Sequence, residues 1–168
     1  MNHGPYAPLK VYLAGPFESR GEILHLKEAL TSVGVYVTST WLTEHDSASM
    51  DALKARGRQA LMDDARKRAI EDFKNIDEAD YLVLYKPVEL HRKPTTGGHH
   101  VEVGYAQAKG KPVIIFGERE NVFHYRPGVT EVGVDLAGLF EALGVEPTFK
   151  VIHTLPRVAD LTHPPGAC

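Results

Sequence analysis

The residues with the most chemical content lie together in one run, Thr95-Thr96-Gly97-Gly98-His99-His100-Val101-Glu102-Val103-Gly104-Tyr105-Ala106. Gly97 and Gly98 precede a helical pattern from about His99 to Lys109, and glycines there let backbone and ligand come close. Free N–H groups at a helix start favour negative charge. Glu102, expected in the first turn, would thus be held as the ionised carboxylate that a nucleophile requires. Gly104 removes a side chain two positions on. A glutamate in such a place also serves many helices from the surface, complementing the dipole without touching a ligand. Asp72 is the second carboxylate of interest, beside the apolar stripe of a long helix, where solvated acids are common.

Nine histidines raise the question of a metal, with His91, His99, His100 and His124 close in sequence. Successive helical residues point about 100° apart, so His99 and His100 are not expected to converge on one ion as an i, i+4 pair would. Neither metal nor cofactor is expected. Gly15 to Gly21 (GPFESRG) has the look of a phosphate loop but neither dinucleotide nor Walker spacing. Trp41 and Tyr105 could stack on a flat ring or form core or pocket wall.

The elements that must position these groups follow from periodicity. Lys10–Ala14 reads as a buried first strand ending at Gly15-Pro16. Ser19 and Glu22 have capping-box spacing ahead of Ile23, Leu26, Leu30 and Val33 on one helical face, and Gly34 stops that helix. Val35–Ser39 supplies a second strand, and Thr40 to about Gly57 a long loop with room for a short helix. Met62, Ala65, Ala69, Phe73 and Ile76 mark a helix over Gln59–Ala79, followed by the apolar strand Tyr81–Tyr85. A polar connector leads to the helix bearing Glu102. Pro112–Phe116 is then a fourth strand, Gly117–Gly128 a polar loop, and Asp135–Leu143 a last helix capped by Gly144. Val129–Val134 or Phe149–Ile152 would supply a fifth strand. Such alternation specifies an α/β fold with a parallel doubly wound sheet, which binds ligands beyond the C-terminal ends of its strands.

At 168 residues and 43% apolar content the chain is read as a single domain, residues 1–168, with Leu155–Cys168 a Pro-rich tail or an arm reaching another subunit. The net charge of −3, with both signs interspersed, offers no surface for a nucleic-acid polymer, so a small molecule is the expected partner. No apolar run approaches membrane-spanning length, Met1–Pro8 lacks a secretory pattern, and the lone Cys168 fits a reducing compartment. A cytoplasmic location is expected.

Three segments, taken in order, carry a resemblance. The strand KVYLAGPF, the run DFKNIDEAD ahead of an apolar strand, and GGxxxExGYA ahead of KPVIIF resemble the nucleoside 2-deoxyribosyltransferase family, over Lys10 to Phe123, roughly two-thirds of the chain. The resemblance implies a flavodoxin-like sheet of about five parallel strands with helices on both faces, and a homo-oligomer, dimer or higher, whose sites are completed by neighbouring subunits. It implies an enzyme of nucleotide salvage that breaks the N-glycosidic bond of a nucleoside or nucleotide.

By motif, Glu102 matches the nucleophilic glutamate, and Asp72 the aspartate that assists the sugar or the leaving base. Gly15 and Phe17 match the loop shaping the pocket floor, Trp41 is a substrate-stacking candidate, and Asn121 is a candidate to reach into an adjacent site. Asp72 or the His45 and His99 region would supply or organise the proton that the base needs to leave. One position departs. Where the family's transferases carry an acid about six residues before the nucleophile, this chain has Thr96. The superfamily's hydrolases of nucleoside 5′-monophosphates use a small hydroxyl residue in this region for phosphate, a task Thr96, Ser19 and Arg20 could share. A 2′-deoxyribosyltransferase working through a glycosyl-Glu102 intermediate is the first expectation, an N-glycosidase of monophosphates or deoxynucleosides the second, and a silent nucleotide-binding protein the third.

Overall fold

A computed structural model describes residues 7–44, 52, 54–87 and 97–146. Strands β1 (Lys10–Ala14), β2 (Tyr36–Val37), β3 (Tyr81–Lys86), β4 (Val113–Gly117) and β5 (Val129–Val132) form one sheet in the order β2-β1-β3-β4-β5, parallel at every pairing. Between them run α1 (Arg20–Ser32), α2 (Trp41–Glu44), α3 (Arg58–Glu78) and α4 (Gly98–Ala108), with α5 (Leu136–Leu143) after β5. This is the flavodoxin-like order, whose strand sequence reverses between β1 and β3 and opens a crevice there. Of the two fifth-strand alternatives, Val129–Val132 pairs with β4; Phe149–Ile152, the tail from Leu155, Thr96 and His45 lie outside the described residues.

Two apolar layers follow from the period-2 alternation of the strands. Val11, Leu13, Val83, Tyr85, Ile114 and Phe116 face α1 and α5, meeting Ile23, Leu26, Leu30, Leu139, Phe140 and Leu143. Tyr12, Ala14, Leu82, Leu84, Val113 and Ile115 face α3 and α4, meeting Ile76, Ala79, Val103 and Ala106. A tyrosine with a polar tip therefore sits in the second layer.

Three expectations need correction. Ser19 precedes α1 as expected but caps it with no side-chain hydrogen bond. It closes a 3-10 turn, Phe17–Ser19, and its own N–H bonds Pro16 O at 3.0 Å, so its backbone is not the extended conformation of a capping box. The second strand is only Tyr36–Val37, an edge whose following residues Thr38 and Ser39 bond to neighbours through their side chains. The stripe of α3 is buried only at its C-terminal end, at Asn75 and Ile76, while Met62 is 55% exposed. A helix of 21 residues, roughly 31 Å long, overshoots strands about half that length.

Candidate active site

Tyr12 lies in β1, its ring buried beneath α3 and α4. Its hydroxyl donates to Glu102 Oε1 at 2.8 Å and is also hydrogen-bonded to Asp72. Two carboxylates from different helices thus converge on one phenol. Each position has a local cause. Ile76, on the same face of α3 and one turn after Asp72, anchors that helix to the sheet, and Val103 and Ala106 seat α4 beside it. Gly97, at φ +74°, makes the left-handed entry to α4 that a side chain would strain.

The structure corrects the expected position of Glu102. Because α4 begins at Gly98, Glu102 is its fifth residue, in the second turn, and no acid occupies the first. Its half-buried carboxyl is pushed up to about 7, first by burial, while the Tyr12 hydrogen bond pulls it down and the charge of Asp72 pushes it up. Tyr12 is itself raised well above the usual phenol range by burial and by the two carboxylates, so it remains a donor.

Asp72 also lines a cavity of about 250 Å³ together with Thr40, Trp41, Asp64, Lys67, Arg68 and Glu71. The Trp41 indole N–H donates to Leu13 O at 3.0 Å, which fixes the ring as a wall of that cavity. Asn75 holds the facing loop through Thr40 Oγ1 at 2.8 Å. Gly15 follows β1, and a Cβ there would stand 2.6 Å from Ile23 Cδ1, so the glycine admits α1 close to the sheet. Phe17 is exposed beyond it. Ser19 is buried, and Arg20 Nε is buried without a hydrogen-bond partner among the described residues. A Cβ on Gly98 would meet open space.

A second polar cluster lies past the ends of β3 and β4. Lys86, almost fully buried, pairs with Glu120 Oε2, while Glu120 Oε1 is 2.9 Å from His100 Nε2. The rings of His99 and His100 are 4.1 Å apart, so the two adjacent imidazoles do converge, contrary to the expectation from helical spacing alone. One donor atom of each ring also lies within 4.8 Å of a Glu120 carboxylate oxygen. Burial, then His100 and Lys86, lowers His99 to about 4, which makes it a neutral imidazole rather than an acid for the departing base. Burial pushes Glu120 up, but Lys86 and His100 more than offset it and leave its carboxyl lowered. Asn121 is engaged within its own chain, accepting from Phe123 N at 2.9 Å and lying 3.4 Å from His100 Nδ1 and 3.2 Å from His124 Nε2.

Residues 11–146 match the sequence profile of the nucleoside 2-deoxyribosyltransferase family. The chain belongs to that family. Its members are enzymes acting on nucleosides or nucleotides. Among curated proteins none matches the chain. A solved structure similar to it is the CMP N-glycosidase BcmB of Clostridium botulinum, 17% identical over 80% of this chain and 98% of that one, with a TM-score of 0.47.

Within this nucleoside 2-deoxyribosyltransferase family member, Glu102 and Asp72 are brought together, with Trp41 on the wall of the cavity that Asp72 lines. Asn121 belongs instead to the histidine cluster. Reading the sequence missed Tyr12 and Lys86. A signal existed for the first: in KVYLA, Tyr12 is the only residue of the buried core of β1 with a polar tip, and a buried phenol needs a partner.

Proposed function

We propose that the protein is a nucleoside 2′-deoxyribosyltransferase that works by double displacement. The observation that carries this reading is the convergence of Glu102 and Asp72 on the Tyr12 hydroxyl, Asp72 also lining a cavity. Ionised Glu102 attacks C1′ as the C1′–N bond breaks, stabilising the oxocarbenium-like sugar and then capturing it as an ester. The bonding pair leaves with the base, which takes up a proton that Asp72 supplies or organises. A second base attacks C1′, its nitrogen gives up a proton, and Glu102 is released. Tyr12 holds the carboxylate in line and favours its ionised form.

Incubation with a deoxynucleoside and a different free base tests this by chromatography. Appearance of the exchanged nucleoside is the expected result; release of free sugar alone, unaffected by added base, would replace transfer with hydrolysis. A second reading, an N-glycosidase of nucleoside 5′-monophosphates, is favoured by Arg20 Nε, which has no hydrogen-bond partner among the described residues, and by the buried Ser19, whose hydroxyl makes no cap bond to α1. Under that reading the same assay run with a monophosphate liberates base and sugar phosphate.

The proposal includes a cytoplasmic homo-oligomer, in keeping with Val122 and Phe123 exposed on the turn after β4. Sedimentation of the protein as a monomer at micromolar concentration would remove that part.

A further inference from the structure

The cluster beyond β3 and β4 is not used by the chemistry above. We propose that His99, His100 and Glu120 form a binding site for a divalent transition-metal ion of the zinc type. One donor atom from each residue lies within 4.8 Å of the other two. Metal–ligand bonds of about 2.0–2.2 Å place donors roughly 3–4 Å apart, so closing the triad requires only small side-chain movement. Two imidazoles and a carboxylate suit zinc, cobalt or nickel better than magnesium or calcium, which prefer oxygen.

An independent observation points to a missing ligand. His99 is 4% exposed, and its Nε2 is buried with no hydrogen-bond partner among the described residues. A buried ring nitrogen left unpaired is costly unless something fills the position. The surroundings fit an orienting shell. Lys86 holds the far oxygen, Glu120 Oε2, and leaves Oε1 directed at His100. His100 Nδ1 faces the Asn121 amide. On binding, neutral His100 coordinates through Nε2 as its Nδ1–H tautomer, a proton on Nε2 being lost to solvent as one is taken up at Nδ1. Three protein donors leave the remaining positions to water.

The site joins the start of α4 to the loop after β4, and His99 lies three residues before Glu102. A bound ion therefore pins the helix that carries the candidate nucleophile, whichever acceptor the enzyme uses. The test is titration of chelator-treated protein with Zn²⁺ by calorimetry, and with Co²⁺ by visible absorption, alongside thermal melts. Expected are one ion per chain, cobalt d–d bands, and a melting temperature raised by Zn²⁺. His100→Ala and Glu120→Gln, at partly exposed positions, should each weaken binding at least about tenfold and abolish the thermal shift while melting as folded proteins. Failure to bind one ion per chain, or equal affinity in both variants and the parent, overturns the proposal.

Discussion

Tyr12 and Glu102 make one acid–base unit, and its behaviour with pH follows from burial. Burial raises Glu102 to about 7, and under the proposed mechanism only its ionised form attacks C1′. We therefore expect kcat/KM to climb with pH through about 7, which a pH–rate profile on a deoxynucleoside measures. The Tyr12 hydrogen bond opposes the rise. Tyr12→Phe should accordingly move the acidic limb to higher pH and lower the rate at pH 7 by about tenfold, consistent with one lost hydrogen bond to a charged group. A limb that stays in place would dissociate Tyr12 from the nucleophile. Glu102→Ala should abolish turnover with the fold retained, because the side chain is only half-buried; mass spectrometry should find sugar on the parent enzyme and none on the variant.

Helices and strands were legible where their apolar residues had a partner across the sheet. Ile23, Leu26 and Leu30 lie on α1, and Leu139 and Leu143 on α5, as periodicity requires. Periodicity reports a face but not whether anything covers it, which is why α3 showed a full stripe though only its last turns reach the sheet. Ile76→Ala should cost roughly 3 kcal/mol in denaturant unfolding, whereas Met62→Ala should change stability by less than about 0.5 kcal/mol. The pairing of Glu102 with Asp72 was readable only as a motif, because nothing local in either helix says that both lie above β1. Equally invisible was the close approach at Gly117, at φ +134°, where a Cβ would collide with the Lys86 carbonyl. Gly117→Ala should destabilise by roughly 2–4 kcal/mol on the same measurement and loosen the loop bearing Glu120.

For the molecule as a whole, the candidate nucleophile opposes stability. An ordinary glutamate sits near 4.5 and folded Glu102 at about 7, so between those values the folded chain holds a proton that the unfolded chain has released. Stability from this group is fully present below about 4.5 and is lost as pH rises through about 7. The gap corresponds to roughly 3 kcal/mol at most, and partial exposure reduces it to about 2 kcal/mol. Glu102→Gln should thus melt higher than the parent at pH 8, with the advantage gone by pH 4; equal melting at both values would refute the buried-charge account. Among the described residues no helix is long and apolar enough to cross a membrane. The alternation of β1 has a consequence for inheritance as well. Val11 and Leu13 serve one layer and Tyr12 the other, so losing or gaining one residue inside this strand would exchange their faces. An aliphatic side chain would then stand under the carboxylates and a phenol would be forced against α1. Point substitutions can explore this strand one property at a time, but a single-codon insertion or deletion within it would remove architecture and chemistry together.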